Sequence, residues 1–198
     1  MSEGGLILAS RSTSRRAMLE AAGVAHEAIP ADIDERAVEA AMTDAHVPAI
    51  AMALSSAKAE AVAAKARKRA VLGSDSLVVV EGRRFDKPGS REEAADHLRF
   101  FSGRRLELYA GAALALDGMV VWQHAEHASL VVRELSETFI ARYLDAEWPE
   151  VAACVGVFRI EALGVQLFER IEGSHFTILG MPLLPVLAAL RRFEVIAR

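Results

Sequence analysis

The stretch Leu6-Ile-Leu-Ala-Ser-Arg-Ser-Thr-Ser-Arg-Arg16 decides the fold, because it contains the signals of a strand, a loop and a helix start. Leu6–Ser10 is a short apolar run typical of a buried strand, and the hydroxyl-rich residues that follow indicate a loop. A helix is predicted over about Arg15–Ala22, with Ser14 as its N-cap and Gly23 as its stop. The chain therefore begins with a strand–loop–helix unit.

Strand and helix signals alternate after this unit, and hairpins dominate the middle of the chain. The predicted elements are strand Val24–Ile29, a helix after Pro48, strands Val71–Val80 and Arg83–Phe85, helix Glu92–Phe101, strands Leu106–Leu116 and Met119–Val132, a helix capped by Ser136, strands Val155–Glu161 and Val165–Ile171, and a last helix from Pro182. This pattern predicts an α/β fold with a mixed sheet. Because no linker or internal repeat is found, we expect a single domain over residues 1–198.

Composition excludes several classes of protein. The 198 residues include 23 basic and 27 acidic side chains, and a net charge of −4 lacks the broad positive field that binding to nucleic acid polymers requires. Apolar stretches such as Val47–Leu54 are too short for a membrane span, and no signal peptide is recognisable. The single Cys154 excludes an internal disulfide framework. We expect a cytoplasmic protein; the apolar hairpin and the last helix would suit a homodimer, which no pattern demonstrates.

The loop and helix start at Ser10–Arg16 have the features of an anion site. Free N–H groups at a helix start attract anions, and the hydroxyls of Ser10 and Ser12 add donors. Arg15 and Arg16 lie in the first turn of the predicted helix, where acidic side chains are favoured. A phosphate chain would compensate these two positive charges. A solvated surface turn explains the same residues equally well.

Two groups of acidic residues could carry chemistry. Asp75 enters the apolar run Gly73–Val80, where a buried carboxylate needs a cation or several donors. The alternative is an aspartate at the end of a strand, facing solvent. Asp32-x-Asp34-Glu35 is a cluster of hard oxygen ligands suited to Mg²⁺ or Mn²⁺. Acidic residues at the start of a helix are the more common explanation of such a cluster.

Two lysines stand apart from the basic run at residues 65–69. Lys58 shares a helix face with apolar residues, so it either snorkels at the margin of the core or reaches into a cleft. Lys87 precedes Pro88-Gly89, a rigid turn that could direct its ammonium group inward. Neither lysine is informative alone.

Taken in chain order, seven short segments of this sequence resemble motifs of the Maf-type nucleoside triphosphate pyrophosphatases. The opening stretch is similar to that family's LILAS-x-S-P-x-R-R. The other six matches are Asp34-Glu35 (DE), Lys58-Ala59 (KA), Gly73-Ser-Asp75 (G-[AS]-D), Lys87-Pro88 (KP), Ser102-Gly103-Arg104 (SGR) and Gly180-Met-Pro-Leu183 (GLPL). Each motif is short, but their order and spacing from Leu6 to about Leu190 form a specific signal.

The resemblance implies an elongated mixed-sheet fold of the Maf and ITPase-like type, with two lobes flanking a central cleft. It implies hydrolysis of a nucleoside triphosphate to the monophosphate and pyrophosphate with a divalent cation, Mg²⁺ or Mn²⁺. It makes Asp75 the catalytic residue and Glu35 and Asp75 the metal-holding pair. The residues that would bind the triphosphate are Ser10, Ser12, Arg15, Arg16, Lys58 and Lys87. The alternative is an inactive nucleotide-binding regulator, since the family name is also associated with septum formation.

Differences between this sequence and the family pattern at three positions bear on which nucleobase is preferred. Ser14 stands where pyrimidine-preferring members have Arg and a subgroup acting on 7-methyl-GTP has Trp, and Ser76 stands where the former have Thr. Glu161 replaces a Gln, and its segment is closer to the 7-methyl-GTP subgroup. A carboxylate at this position could accept hydrogen bonds from N1–H and the 2-amino group of guanine. We therefore expect a guanine-type base, with Ser14, Ser76 and Glu161 as the specificity residues.

Overall fold

The computed structural model describes residues 5–42, 45–66 and 68–197. These ranges contain seven strands: β1 (Leu6–Leu8), β2 (His26–Ala28), β3 (Ala70–Val80), β4 (Arg83–Phe85), β5 (Arg105–Leu116), β6 (Met119–Val132) and β7 (Phe168–Glu172). They also contain seven α-helices: α1 (Thr13–Ala21), α2 (Glu35–Ala40), α3 (Val47–Ala63), α4 (Arg91–Phe101), α5 (Glu137–Glu147), α6 (His175–Ile178) and α7 (Leu183–Arg192). Short 3₁₀ helices cover Glu150–Ala153 and Leu163–Leu167.

The strands form one mixed sheet in the order β2-β1-β3-β5-β6-β7, with β4 paired to β3. β1 pairs in parallel with both β2 and β3, whereas β3–β4 and β6–β7 are antiparallel. Asp117 and Gly118 connect β5 to β6 with φ angles of 50° and 85°, the left-handed pair that a tight hairpin turn requires. The predicted α/β fold with a mixed sheet is confirmed.

The chain divides into two compact units. Unit 1 consists of Met1–Ser76, Tyr109–Glu126 and Gly180–Arg198. Unit 2 consists of Leu77–Leu108 and His127–Leu179. Because β3, β5 and β6 are long strands, each contributes residues to both units. The prediction of a single domain with a cleft between two lobes stays a prediction.

Each unit has its own apolar core. In unit 1 the core contains Ile7, Ala59, Val62, Val71 and Ala113, which come from β1, α3, β3 and β5. The core of unit 2 includes aromatic rings: the ring of Phe85 packs edge-on against that of Phe101, with 4.8 Å between their centroids. The small side chains of unit 1 allow its helix and strands to pack closely.

Two glycines fix the position of α3 in unit 1. A Cβ atom on Gly73 would lie 2.0 Å from the carbonyl oxygen of Ser55 and 2.8 Å from the backbone nitrogen of Ala59. A Cβ atom on Gly111 would lie 2.4 Å from the carbonyl oxygen of Ala51. The backbone of α3 therefore packs directly on β3 and β5. This close contact carries Lys58 of α3 to the level of Asp75, two residues beyond Gly73.

Residues 155–161 were predicted to be a strand, and this prediction was wrong. They form turns and irregular backbone between the two 3₁₀ helices. Val157 has a φ of 55°, which is incompatible with a strand, and its carbonyl accepts a hydrogen bond of 2.9 Å from the hydroxyl of Tyr143. Gly156 makes room for the ring of Phe158, which comes within 2.5 Å of its ideal Cβ position. The predicted strand Val165–Ile171 is correct only from Phe168 onward.

Two helix boundaries also differ from the prediction. The N-cap of α1 is Ser12 rather than Ser14, because Ser12 Oγ accepts a hydrogen bond from the backbone nitrogen of Arg15. The helix predicted after Pro48 was expected to run into the basic residues 65–69, but α3 ends at Ala63, and residue 67 lies outside the described residues. The predicted start of the last helix is confirmed, since Pro182 is the N-cap of α7.

Candidate active site

The loop before α1 is shaped by its own hydroxyl groups. The backbone nitrogen of Ser12 donates to Ser10 Oγ at 3.2 Å, and the backbone nitrogen of Arg15 donates to Ser12 Oγ at 3.3 Å. Ser10 is buried, whereas Ser12 and Ser14 are partly buried. Ser14 lies in the first turn of the helix rather than at its cap. The loop therefore holds a compact bend at the carboxyl end of β1.

Arg15 is a buried arginine whose hydrogen bonds to the described residues all end on neutral oxygen atoms. Its Nε donates to the carbonyl oxygen of Gly180 at 2.8 Å, Nη1 donates to Ser10 Oγ at 3.2 Å, and Nη2 donates to Ser76 Oγ at 2.8 Å. Burial lowers the pKa of Arg15, and the charges of Asp75 and Glu35 act in the opposite direction. A buried positive charge without a bonded carboxylate is suited to an anion.

Arg16, next in sequence, has a different environment. Its side chain is exposed and makes no hydrogen bond or ion pair with the part of the chain that the structure describes. Of the two predicted arginines, only Arg15 is built into unit 1 by hydrogen bonds. Arg16 is available to solvent at the first turn of α1.

The ammonium group of Lys58 lies between two carboxylates. Its Nζ is 2.5 Å from Asp75 Oδ1 and 2.8 Å from Glu35 Oε1. The side chains of Lys58 and Asp75 are only 12% and 13% exposed, whereas that of Glu35 is 51% exposed. Asp75 thus has the cation that its position in an apolar strand requires. The structure brings three of the predicted site residues into direct contact.

Asp34, in the acidic cluster, serves a local purpose. Its Oδ1 accepts a hydrogen bond of 3.0 Å from the backbone nitrogen of Ala37, so it caps α2 and makes Glu35 the first residue of that helix. Asp32 is exposed. Of the acidic cluster, only Glu35 reaches Lys58. Asp34 is therefore an acidic residue at the start of a helix, whereas Glu35 also forms an ion pair.

The donor set fits a divalent cation that is bound together with phosphate. No group of three or more His, Cys, Asp or Glu side chains assembled for a metal is found in residues 5–42, 45–66 and 68–197. Glu35 and Asp75 instead provide two carboxylates that share one lysine. Mg²⁺ is commonly held by one or two carboxylates, with substrate phosphates and water completing its octahedron.

The carbonyl oxygen of Gly180 is a site component that sequence reasoning missed. It accepts hydrogen bonds from Arg15 Nε and from Ser76 Oγ at 3.0 Å. Ser74 Oγ also lies 3.3 Å from it, but Ser74 donates its proton to the carbonyl oxygen of Gly111 at 2.7 Å. Gly180 has a φ of 102°, a conformation that favours glycine and turns this carbonyl toward the serines. The Gly-Met-Pro motif is a turn signal. The role of the Gly180 carbonyl cannot be read from the sequence, however, because every residue has a backbone carbonyl.

Two further predicted site residues belong to unit 2. Lys87 follows β4 and is exposed, and Glu161 is exposed in the irregular segment before the second 3₁₀ helix. Both act on Cys154: burial raises the pKa of its thiol to about 11, Glu161 acts in the same direction, and Lys87 in the opposite one. Cys154 is therefore a protonated thiol at neutral pH.

Comparison with known proteins decides the family. Residues 5–193 match the family described as Maf-like protein. The chain belongs to the Maf family. Its similarity to the Maf-type proteins, inferred from seven motifs, is confirmed over nearly the whole length. No helix in the described ranges is both long enough and apolar enough to cross a membrane.

Relatives of this Maf protein carry two kinds of name. The chain is 46% identical to the 7-methyl-GTP pyrophosphatase of Rhizobium etli, over 96% of this chain and 97% of that protein. It is 47% identical to the nucleoside triphosphate pyrophosphatase of Nitrobacter hamburgensis, over 94% and 92%. A solved nucleoside-triphosphatase (dITP/XTP pyrophosphatase) of Mycobacterium abscessus aligns over 66% of this chain and 75% of its own, with 18% identity and a TM-score of 0.39. A similarity as low as the last supports no argument about function.

Proposed function

We propose that this Maf protein hydrolyses a nucleoside triphosphate to the monophosphate and pyrophosphate, with Asp75 as the catalytic residue. The contact that carries the proposal is the short ion pair between Lys58 and Asp75, with Glu35 on the other side of the ammonium group. Relatives at 43–47% identity named as nucleotide pyrophosphatases support the same activity. An inactive regulator would need no such arrangement around a carboxylate.

Asp75 is arranged to act on a water molecule. Its Oδ1 accepts from Lys58, and no hydrogen bond from another described residue engages its Oδ2. In the proposed reaction Oδ2 accepts a proton from water as the water oxygen attacks the α-phosphorus. The bond between that phosphorus and the α–β bridging oxygen then breaks, and the bridging oxygen leaves with pyrophosphate. A divalent cation, when bound at Glu35 and Asp75, neutralises charge on the phosphates.

The cationic side chains would provide most of the binding to the triphosphate. Arg15 presents a buried guanidinium with no bonded carboxylate, and Arg16 is exposed beside it in α1. Lys58 adds an ammonium group, and Ser10 and Ser12 shape the loop at the helix start. Lys87, in unit 2, stays a predicted phosphate-binding residue. Fixed positive charges stabilise the developing charge of a departing pyrophosphate at no cost in reorganisation.

A guanine-type base is the second part of the proposal. Glu161 is exposed and is free to accept hydrogen bonds from N1–H and the 2-amino group of guanine. Uracil and thymine present no such pair of donors. The name 7-methyl-GTP pyrophosphatase among the relatives favours the same base class. A cytoplasmic location and a homodimer stay predictions.

A nucleotide panel with product identification tests the proposal. 7-methyl-GTP, GTP, UTP and dTTP are each incubated with Mg²⁺ or Mn²⁺, and the products are separated by ion-exchange chromatography. Monophosphate plus pyrophosphate is the expected result, with the highest rate for a guanine nucleotide. Diphosphate plus phosphate would indicate attack at the terminal phosphorus, and no turnover of any nucleotide would favour a binding protein. Omitting the metal and adding a chelator tests the cation in the same assay.

A further inference from the structure

The hydroxyl group of Ser76 uses its only donor proton and one of its acceptor lone pairs within unit 1. Its Oγ accepts a hydrogen bond of 2.8 Å from Arg15 Nη2 and donates its single proton to the carbonyl oxygen of Gly180 at 3.0 Å. A hydroxyl has one proton, so Ser76 has no donor left for another group. Sequence comparison had assigned this position to the choice of nucleobase. The contacts indicate a different role.

We propose that Ser76 is a positioning residue that acts on the polyphosphate through Arg15, and that it does not read the nucleobase. The assignment rests on the proposed function and deepens it, because it states how the phosphate-binding arginine is held. Ser76 would then affect all nucleoside triphosphates alike. Base selection would be left to other residues, Glu161 among them.

The hydrogen bonds of Arg15 determine which of its N–H groups are available to a phosphate. A guanidinium group has five N–H donors. Three of them are used by Gly180, Ser10 and Ser76, one from each nitrogen, which leaves one N–H on each of Nη1 and Nη2. Two terminal donors on one planar group are the arrangement that binds two phosphate oxygens together. Ser10 and Ser76 fix the rotation of this plane from both sides.

The close packing around Gly180 limits the rotation of the planar guanidinium group of Arg15. A Cβ atom on Gly180 would lie 3.2 Å from Ser76 Oγ and 3.6 Å from Arg15 Nη2. The same carbonyl that receives Arg15 Nε also receives Ser76 Oγ, so serine and arginine share one acceptor. Removing the serine hydroxyl takes away one bond to the guanidinium and leaves a gap beside it. The guanidinium then keeps only its bonds to Gly180 and Ser10, and Nη2 is no longer held in place.

Binding of inorganic tripolyphosphate tests this role without any base present. Affinity is measured by calorimetry at fixed Mg²⁺ for the wild type, Ser76→Ala, Ser76→Thr and Ser56→Ala. We expect Ser76→Ala to weaken binding about tenfold, the effect of one charge-assisted hydrogen bond, and Ser76→Thr to restore most of the affinity. Ser56, whose hydroxyl donates to Gln123 Oε1 at 3.2 Å, is the matched control and should bind like the wild type.

A double-mutant cycle tests whether Ser76 affects tripolyphosphate affinity through Arg15. In an Arg15→Met background, Ser76→Ala should change the affinity by less than about twofold, since its effect passes through the missing guanidinium. If the Arg15 variant does not fold, the comparison of Ser76→Ala with Ser76→Thr carries the test. In turnover assays Ser76→Ala should lower kcat/KM for GTP and UTP by the same factor.

Three results would overturn the proposal. They are unchanged tripolyphosphate affinity in Ser76→Ala, a change in the ratio of kcat/KM between GTP and UTP in that variant, and a wild type that does not bind tripolyphosphate. A wild type that binds tripolyphosphate but releases no pyrophosphate from any nucleotide contradicts the proposed function instead. In that case the titrations still decide the role of Ser76.

Discussion

Lys58 Nζ lies 2.5 Å from Asp75 Oδ1, a contact between two side chains that are both largely withdrawn from solvent. The same ammonium group lies 2.8 Å from Glu35 Oε1. A lysine shared by two carboxylates neutralises only one of their two charges. The arrangement is suited to receive a further cation, which would enter with the phosphates of a substrate.

Replacing Asp75 by Asn should remove pyrophosphate release and leave the protein folded. Asn keeps an oxygen that can accept from Lys58, but its amide cannot take a proton from water. We expect kcat to fall by at least about 10²-fold, the usual contribution of a general base. Asp117→Asn, at an exposed turn whose left-handed backbone Asn tolerates, is the control. Substantial activity in Asp75→Asn would remove Asp75 from this role.

Replacing Gly73 by Ala should separate α3 from β3. The added Cβ would lie 2.0 Å from the carbonyl oxygen of Ser55, a backbone atom that can move only with the helix. We expect the free energy of unfolding to fall by roughly 1–3 kcal/mol or more, measured by urea denaturation. Activity should fall as well, because Lys58 moves with α3.

Gly89→Ala is the matched control for this change. Its added Cβ would meet only the flexible carboxylate end of Glu93, at 3.3 Å. We expect its stability to stay within about 0.5 kcal/mol of the wild type. Equal stabilities of Gly73→Ala and the wild type would contradict the packing described for α3.

Local sequence signals predicted those parts of the fold that local chemistry determines. Gly23 ends α1 with a φ of 70°, and Asp117-Gly118 forms the tight turn between the two predicted strands Leu106–Leu116 and Met119–Val132, because both conformations depend on the residues themselves. The segment at residues 155–161 depends instead on contacts from outside it. The hydroxyl of Tyr143 holds the carbonyl of Val157, a contact that no strand propensity reveals.

Sequence reasoning named candidate site residues one at a time but not the contacts between them. Asp75 was expected to need a cation, and Lys58 was expected to reach either solvent or a cleft. Their pairing required α3 to pack on Gly73, which brings together positions 17 residues apart. The bond between Arg15 and the carbonyl of Gly180 spans 165 residues and involves a backbone acceptor. Sequence reasoning had no means of finding that partner.

Replacing Glu161 by Gln should reduce the preference for guanine nucleotides. A carboxylate accepts two hydrogen bonds from N1–H and the 2-amino group, whereas a carboxamide has only one oxygen to offer. We expect kcat/KM for GTP to fall relative to UTP by about tenfold, the effect of one hydrogen bond to a charged group. Glu169→Gln, an exposed change in β7, is the control. An unchanged nucleotide profile would exclude Glu161 from base recognition.

The pKa of the Cys154 thiol should change when the charge of Lys87 or of Glu161 is removed. The pKa of Cys154 is raised to about 11, mainly by burial, with Glu161 acting in the same direction and Lys87 in the opposite one. Glu161→Gln should therefore lower the thiol pKa and Lys87→Met should raise it. The pH dependence of the rate of iodoacetamide labelling measures both shifts. Shifts in the opposite directions would contradict the proximity of these side chains in unit 2.

Buried His97 should make the stability of unit 2 depend on pH. Its ring packs edge-on against Phe85 at 5.0 Å between centroids, and its Nδ1 has no hydrogen-bond partner among the described residues. Burial lowers the pKa of His97, with Arg83 acting the same way and with Glu93, Asp96 and Asp86 opposing. The folded protein therefore holds this ring neutral at a pH where the unfolded chain already binds a proton.

The sign of the effect follows from this difference in proton binding. Stability is complete above the ordinary histidine pKa of about 6.5 and falls as the pH drops from there toward the lower pKa of the folded state. His97→Leu should flatten the free energy of unfolding between about pH 7.5 and pH 5.5, measured by urea denaturation at each pH. His175→Gln, at an exposed histidine of α6, should keep the slope of the wild type. Parallel curves for His97→Leu and the wild type would show that His97 titrates as it does in the unfolded chain.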